Sequence, residues 1–506
     1  MKKSQVMQII SDETLTYSQQ VLALARLAEN SDKTLKRNPL LKKAIQEGKI
    51  CDLNEGLAPY RPRYILPDYK LLMTNGCKFL DLKPAKNLLE ACSNLLIFYH
   101  HVPSITSYPV YLGNFTELFL PFEKEADNPL TEEILTLFLQ NIDKTLCDSF
   151  VHANIGPQDS KITRIILKLT KSMQLAIPNI TLLYDKDITP DDLANEAIKV
   201  MLKTSKPSFA NHKMYAKEHQ NNEYAIASCY NALNIGGGGY TLPRLRLYEI
   251  SKEAKNIDDF FENVLPFYVN LILELIDQRI KFIVEKSSFF KSNFLVQEGF
   301  VNQEKFTGMV GVVGVAECVN TLLNINDKSQ GFGNNEKANL LAIKVLDKIE
   351  EMVNNHHGLY CSLCNNVYQM HAQVGIDSDG LDNSPGCRIP IGFEPNLFEH
   401  LHLESKLHKY FPCGVGDIFK FDQTWTNSPE AILDIIKGAF ASGMRYFTAY
   451  NEDNDVVRVT GYLVKKSEIE KLTNGKQSIN NCTIFGKGAK EKGHALDRKV
   501  YGKGSN

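Results

Sequence analysis

The segment VVRVTGYLV, residues 456–464, decides how this sequence is interpreted. Its valines favour extended backbone, so the segment predicts a β-strand. Gly461 is unusual within such a strand, because glycine has no side chain to pack and loses much backbone freedom on folding. A glycine at this position therefore needs a reason other than strand packing.

A second unusual segment, EYAIASCYNALNIGGGGYTLPRL (residues 223–245), places Cys229 shortly before four glycines. No Gly-Lys-Ser/Thr follows these glycines, and Thr241 stands where a dinucleotide fingerprint has its third glycine, so a phosphate loop is disfavoured. An isolated cysteine is usually a small buried hydrophobe. Together with Gly461, however, Cys229 completes the pair that protein-based radical chemistry needs.

The chemistry explains both residue types. A radical at a glycine α carbon is stabilised by the amide nitrogen on one side and the carbonyl on the other, and it requires a planar centre that a side chain would crowd. A cysteine thiol gives up a hydrogen atom to such a radical at modest cost, and the thiyl radical then takes hydrogen from a substrate C–H bond. Unlike a nucleophilic cysteine, this pair needs neither a thiolate nor a general base.

Residues 456–464 resemble the C-terminal motif Arg-Val-x-Gly-Tyr of the glycyl radical enzymes, matched here by Arg458, Val459, Gly461 and Tyr462. The region of Cys229 is similar to the active-site cysteine loop of that family. PNITLLYDKDITPDDL (178–193) and PSFANHKMY (207–215) are similar to two further family segments. The chain looks most like the short YjjI-type branch.

The resemblance implies an α/β fold, a ten-stranded α/β barrel with two antiparallel halves. It places Cys229 on a loop inside the barrel and Gly461 on a second loop nearby, shielded from solvent. Gly461 would store the radical, and Cys229 would relay it as a thiyl to a small organic substrate. A separate radical-SAM activating enzyme with an iron–sulfur cluster would install the radical after translation, so we expect no bound cofactor or metal. The barrel must open for this step, and the tail after Gly461 is expected to move.

The sequence departs from the family at the residues around the cysteine. Asn231 stands where eliminases and decarboxylases of the family carry a glutamate base, and an amide cannot take a proton at neutral pH. A diol-dehydratase or choline-lyase mechanism is therefore disfavoured. Ser228 and Tyr230 flank Cys229, which disfavours acyl transfer of the pyruvate formate-lyase type, because that reaction uses two adjacent cysteines.

Two other functions stay open. MVGVVGVAECVNTLL (309–323) resembles a segment of the anaerobic ribonucleotide reductases, so nucleotide reduction is one alternative. Those enzymes usually carry a four-cysteine zinc site before the radical glycine, and nothing comparable lies between Cys413 and Gly461. We therefore prefer helix packing for Glu317 and Cys318. A non-catalytic scaffold or replacement radical carrier is the other alternative, although an inert protein has no reason to keep both Gly461 and Cys229.

Further polar candidates follow later in the chain. The loop 375–392 is expected either to be a solvated connection or to reach into the barrel, with Asp379, Asp382 and Arg388 joining Asn231 as substrate contacts. Cys361 and Cys364, with His357 and His371 nearby, have zinc-like spacing, but a single CxxC favours plain thiols. The spacing of His400, His402 and His408 matches no metal site.

Composition sets the broad class. The 506 residues are 43% hydrophobic and 23% charged, and their net charge of −2 provides no basic field for nucleic acid or an anionic membrane. The N-terminus has no signal-peptide pattern, and no apolar run reaches about 18 residues. Eleven cysteines without a secretion signal predict reduced thiols in the cytoplasm. The expected partners are the activating enzyme and a small-molecule substrate, with a homodimer left open.

Strands that alternate with helices predict one α/β domain over 1–506. It would have a mainly helical part (1–150), the barrel (178–445), and the radical region with its tail (446–506). NITLLY (179–184) predicts a buried strand. Thr189-Pro190 and Ser428-Pro429 predict helix starts. Residues 445–450 and 456–464 predict strands on either side of the polar turn NEDND, and the Gly- and Lys-rich tail after Asn474 is expected to be at least partly exposed.

Overall fold

The computed structural model describes residues 3–29, 35, 37–51, 60–105, 108–220, 222–372, 383–480 and 496–502. Helices and strands alternate along most of this length, which confirms the α/β class. In these ranges, no helix is both long enough and apolar enough to cross a membrane.

The strands are short, and most of their residues are buried. In chain order they are β1 (Ile50–Cys51), β2 (Tyr64–Leu66), β3 (His152–Ile155), β4 (Asn179–Tyr184), β5 (Ser208–Asn211), β6 (Tyr224–Ala227), β7 (Asn231–Asn234), β8 (Gly237–Gly239), β9 (Arg244–Arg246), β10 (Phe306–Thr307), β11 (Met309–Val313), β12 (Gln369–Ala372), β13 (Asp417–Phe421), β14 (Tyr446–Tyr450), β15 (Val456–Arg458), β16 (Leu463–Lys465) and β17 (Val500–Tyr501).

The helices alternate with these strands along the chain. They are α1 (Lys3–Ile10), α2 (Tyr17–Glu29), α3 (Pro39–Gln46), α4 (Tyr69–Asn75), α5 (Leu88–Tyr99), α6 (Phe115–Phe119), α7 (Pro129–Thr145), α8 (Lys161–Met173), α9 (Asp191–Thr204), α10 (His212–Glu218), α11 (Leu247–Ser251), α12 (Ile257–Asp259), α13 (Leu265–Lys281), α14 (Phe289–Ser292), α15 (Phe294–Gln297), α16 (Val315–Leu322), α17 (Glu336–Asn354), α18 (Leu397–Leu407), α19 (Pro429–Ala441) and α20 (Lys466–Thr473).

The largest sheet has six strands in the order β17-β13-β14-β5-β4-β3. Strands β3, β4 and β5 are parallel to one another, as are β14, β13 and β17, and the two groups meet antiparallel between β5 and β14. This junction agrees with the expected antiparallel halves. A second sheet has the order β1-β9-β11-β12. Among the described residues, no strand of the six-stranded sheet pairs with a strand of the four-stranded sheet. Strand pairing therefore does not by itself close one ten-stranded barrel.

The local predictions for the α/β units are largely confirmed. NITLLY forms β4 with every residue buried, and α19 begins at Pro429. The helix predicted at Thr189 begins at Asp191, with Pro190 at the cap position and without a side-chain capping bond. The Thr189 hydroxyl instead donates to the carbonyl of Pro157 (2.9 Å), because this side chain is buried between segments.

Residues 456–464 do not form the single strand that their valines predict. The segment folds into a hairpin in which β15 pairs antiparallel with β16, with Arg458 opposite Leu463. The amide of Val459 donates to the carbonyl of Tyr462 (3.2 Å) across the turn. The two strands of the hairpin bond to each other, and Gly461 lies in the turn between them.

The last described segment, residues 496–502, packs against the core. Strand β17 pairs with β13, and the Tyr501 side chain is buried. Arg498 is also buried, and its Nη2 donates to the carbonyl of Val459 in the hairpin (3.3 Å). The last described segment of the tail therefore contacts the turn that carries Gly461.

Candidate active site

Cys229 and Gly461 lie at the tips of two β-hairpins that meet. Cys229 is the middle residue of the turn between β6 and β7, in which Ala227 pairs with Asn231. A side-chain carbon built on Gly461 would lie 2.2 Å from Cβ and 2.7 Å from Sγ of Cys229. Because a C–C bond is about 1.5 Å long, the α carbon of Gly461 lies within roughly 4 Å of this sulfur. No residue other than glycine fits here without displacing the cysteine.

Burial keeps both residues away from water. The Cys229 side chain is 5% exposed, and Gly461 belongs to an uninterrupted buried run. Burial raises the pKa of the Cys229 thiol to about 12, against smaller opposing effects of a hydrogen bond with Ser228 and of nearby arginine charges. The sulfur therefore keeps its hydrogen at neutral pH, which suits hydrogen-atom transfer and does not suit nucleophilic attack.

The carbonyl of Gly461 accepts two hydrogen bonds. Arg458 Nη1 donates at 3.2 Å and Asn179 Nδ2 at 3.3 Å. The same guanidinium donates through Nη2 to Asn179 Oδ1 (3.1 Å) and to the carbonyl of Ser205 (2.9 Å). Arg458 is fully buried, and it fixes the hairpin against β4. Its positive charge draws electron density into the carbonyl that flanks the α carbon.

The backbone of the cysteine turn is held on both sides of the thiol. Ser228 has φ +58°, a left-handed conformation that is uncommon for a residue other than glycine. His152 Nδ1 donates to the carbonyl of Ser228 (2.6 Å), while its Nε2 is bonded to the Thr181 hydroxyl (2.8 Å). The Tyr446 hydroxyl donates to the carbonyl of Cys229 (3.3 Å). Sequence reasoning missed His152 and Tyr446, since neither is close to the turn along the chain.

Three buried histidines predict a loss of stability in mild acid. Burial lowers the pKa of His152, His371 and His408 to about 3 each. Between about pH 6.5 and pH 3 the unfolded chain binds protons that the folded chain excludes, so the free energy of unfolding falls as the pH falls. Each histidine contributes up to about 1.4 kcal/mol per pH unit in this window. Urea unfolding at pH 7, 6 and 5 measures the slope.

The variant His152→Gln is the control for this prediction. The variant lacks one of the three histidines that bind a proton on unfolding. Its free energy of unfolding should therefore depend less steeply on pH than that of the wild type. A stability that is the same at pH 7 and pH 5 would contradict the assignment of neutral buried rings.

The structure brings two of the four predicted substrate contacts to Cys229. Asn231 is 1% exposed, and its Nδ2 donates to the carbonyl of Ala227 (3.2 Å). Within the described ranges, its Oδ1 has no hydrogen-bond partner. Arg388 is buried, with its guanidinium carbon 5.5 Å from the centre of the Tyr230 ring. Asp379 and Asp382 lie outside the described residues.

Contacts with Gly416 and Asp417 anchor Arg388. Its Nε donates to the carbonyl of Gly416 (2.6 Å) and lies 3.6 Å from Asp417 Oδ1. Asp417 also bonds His400 Nε2. Burial alone would raise the pKa of Asp417, but the charges of His400 and Arg388 hold it below its usual range. His400, which the sequence did not connect with any site, thus helps to place Arg388.

Possible metal ligands are grouped at one place in the described part of the chain, where His400, Glu404 and Asp417 lie together. Cys361 and Cys364 do not belong to that group. Glu317, assigned to helix packing, accepts from the amide (3.0 Å) and the hydroxyl (2.6 Å) of Ser384.

Known proteins resemble this chain over almost its whole length. The model of the family "Glycyl radical enzyme YjjI-like" matches residues 15–501. An uncharacterized protein of Haemophilus influenzae is 43% identical over 503 residues, covering 98% of this chain and 97% of its own. The uncharacterized protein YjjI of Escherichia coli K12 is 40% identical over 492 residues, covering 97% and 95%.

Solved structures share the fold at low sequence identity. An anaerobic ribonucleotide reductase superposes with a TM-score of 0.66 at 14% identity, covering 94% of this chain and 84% of its own. A structure of 1,2-propanediol dehydration in Roseburia inulinivorans superposes with a TM-score of 0.67 at 10% identity, covering 98% and 88%. At these identities the likeness concerns the fold alone.

Proposed function

The chain belongs to the YjjI-like family of glycyl radical enzymes, and from this membership we propose that Gly461 stores a radical which Cys229 relays to a small organic substrate. The observation that carries the proposal is the contact between the two hairpin tips, in which the α carbon of Gly461 abuts the thiol of Cys229.

The relay is a pair of hydrogen-atom transfers. The Gly461 radical takes the hydrogen of Cys229 Sγ, so that a C–H bond forms at the α carbon while the S–H bond breaks. The thiyl then takes hydrogen from a substrate C–H bond, which restores the thiol and leaves a substrate radical. When the product radical takes the hydrogen back, the thiyl returns, and Gly461 gives up its hydrogen to close the cycle. No electron is gained or lost overall. The raised pKa of Cys229 supports this route, because the thiol retains the hydrogen to be transferred.

Asn231 limits what the substrate radical does next. Its side-chain oxygen is buried and has no hydrogen-bond partner among the residues that the structure describes, so we propose that it accepts from a substrate hydroxyl or amine. It cannot remove a proton at neutral pH. We therefore assign Asn231 a positioning role and propose that any base comes from another residue or from the substrate.

Activation requires a partner and an opening. We propose a radical-SAM activating enzyme with an iron–sulfur cluster, acting in an anaerobic cytoplasm. Because Gly461 is buried, the hairpin of β15 and β16 must move away from the cysteine turn before that enzyme reaches the α carbon. Release of the tail, whose Arg498 contacts Val459, is the proposed first movement.

Electron paramagnetic resonance tests the proposal directly. The protein is incubated at low oxygen with a cognate activating enzyme, a reductant and S-adenosylmethionine. We expect an organic radical whose signal is split into a doublet by the remaining α hydrogen of the glycine. Absence of this signal, with an activating enzyme shown to work on another protein, would refute radical storage. Calorimetry with a nucleotide on the unactivated protein tests nucleotide reduction, which stays a prediction of the sequence.

A further inference from the structure

Three neighbouring strands place an arginine and a histidine on either side of a glycine. Arg244 in β9 is in register with Gly311 in β11, which is in register with His371 in β12. Residues in register on adjacent strands share a face of the sheet. A side-chain carbon on Gly311 would lie 2.5 Å from Cγ of Arg244, so only glycine leaves room for this arginine. The row formed by Arg244, Gly311 and His371 therefore presents a cation and an imidazole on one face of the sheet.

His371 joins this row to Cys229. Its ring stacks on that of Tyr230, with centroids 5.5 Å apart and planes inclined by 11°. The Tyr230 ring in turn reaches the Gly461 tip, where Cε1 lies 3.2 Å from the position of a side-chain carbon. His371, Tyr230, Cys229 and Gly461 thus form one continuous set of contacts.

Buried polar atoms without partners occur at Tyr230's chain neighbour Asn231 and in two side chains that contact the Tyr230 ring. Both ring nitrogens of His371, Nη1 of Arg388 and Oδ1 of Asn231 are buried and have no hydrogen-bond partner among the described residues. These side chains are all at least 95% buried. Buried polar atoms are nearly always paired in folded proteins. Two of these groups belong to side chains that contact the Tyr230 ring, and the third belongs to the next residue in the chain. Together they indicate a polar occupant.

The electrostatics of this place specify the sign of the occupant. Burial, followed by the charges of Arg63 and Arg244, lowers the pKa of His371 to about 3, so the ring is neutral at pH 7 and has one N–H to donate. Arg388 and Arg63 also act on Cys229 as cations. The charges that act on His371 and Cys229 are therefore those of arginines, and a site surrounded by positive charges favours an anion.

We propose that the substrate carries an oxyanion, either a carboxylate or a phosphate monoester, which Arg388 and His371 bind while a C–H bond of the substrate faces the sulfur of Cys229. This inference rests on the proposed function and adds the substrate class to it. The planar guanidinium presents parallel N–H donors that fit either oxyanion, and the neutral imidazole adds a further donor. Asn231 is left to accept from a hydroxyl or amine of the same substrate.

The test uses the unactivated full-length protein and three small probes. Sodium acetate, sodium phosphate and neutral acetamide are titrated at constant ionic strength while the thermal unfolding midpoint is measured. We expect a saturable rise with acetate or with phosphate and none with acetamide. A response to acetate indicates a carboxylate substrate, and a response to phosphate indicates a phosphate monoester.

Arg388→Gln and His371→Gln should each weaken the apparent affinity about tenfold, the usual consequence of losing one charge-assisted or buried hydrogen bond.

The control variant is Arg164→Gln, which removes a half-buried surface arginine that pairs with Asp159 and Asp192. It should bind the anion like the wild type. Arg388→Gln could fail to fold, because Asp417 loses a partner. His371→Gln then tests the inference alone, since the His371 ring makes no hydrogen bond with the described residues.

Three results would overturn the inference: no saturable rise with either anion, an equal rise with acetamide, or wild-type affinity in His371→Gln. The radical is not needed for binding, so the outcomes separate. A protein that gives the radical doublet but shows no anion effect refutes the substrate class alone. A protein that binds the anion but gives no doublet refutes the proposed function.

Discussion

Replacing Gly461 by alanine should abolish the radical doublet completely. The added carbon would lie 2.2 Å from Cβ and 2.7 Å from Sγ of Cys229, far inside van der Waals contact, so the two hairpin tips must separate. The side chain would also crowd the planar centre that the radical requires. Both effects act on the α carbon of residue 461. We therefore expect no radical signal after treatment with an activating enzyme that generates the radical in the wild type.

Oxygen provides a second measurement of the same change. A glycyl radical reacts with oxygen and cleaves the chain at its own position, so activated wild type exposed to air should give a large N-terminal fragment and a short C-terminal one. Gly461→Ala should remain intact on a denaturing gel. Mass spectrometry of the wild-type fragments locates the cut.

Gly438→Ala is the matched control. A side-chain carbon at Gly438 would meet nothing within 4 Å, and alanine is favoured over glycine inside a helix such as α19. This variant should keep the doublet and the cleavage. A doublet that survives in Gly461→Ala would place the radical on another residue.

Replacing Cys229 by serine should leave the radical in place and stop its relay. Serine is slightly smaller than cysteine, so the turn held by His152 and Tyr446 should persist. Its O–H bond is much stronger than an S–H bond and does not yield hydrogen to a glycyl radical. We expect a normal doublet on activation and no turnover of any substrate.

Heavy water makes this prediction testable without a substrate. In the wild type, reversible transfer between Gly461 and a thiol that exchanges with solvent should replace the α hydrogen by deuterium. The doublet should then collapse towards a single line during incubation in deuterium oxide. In Cys229→Ser the doublet should persist. Cys92→Ser, which changes a buried thiol in α5, should behave like the wild type. Collapse in Cys229→Ser at the wild-type rate would remove Cys229 from the relay.

Local patterns predicted the elements that depend on neighbouring residues. The buried strand β4 follows from the apolar run NITLLY, and the start of α19 follows from Ser428-Pro429. The same reasoning was wrong for residues 456–464, where β-branched residues favour extended backbone but cannot show that the chain reverses. It also predicted a helix start at Thr189, whereas the helix begins at Asp191 and the Thr189 hydroxyl donates to the carbonyl of Pro157 in another segment.

The sequence by itself determined the pair of residues on which the proposed chemistry depends, because a glycine within a motif and a cysteine in a distinctive loop can be identified without their surroundings. Only the tertiary structure brought these two residues into contact and added His152, Tyr446 and His371 to them. The reason is physical. These contacts join segments that are far apart in the chain, and buried polar groups find partners through the fold rather than through local periodicity. Whether a buried polar atom keeps a partner or is left to bind a substrate is therefore decided only when the segments have packed.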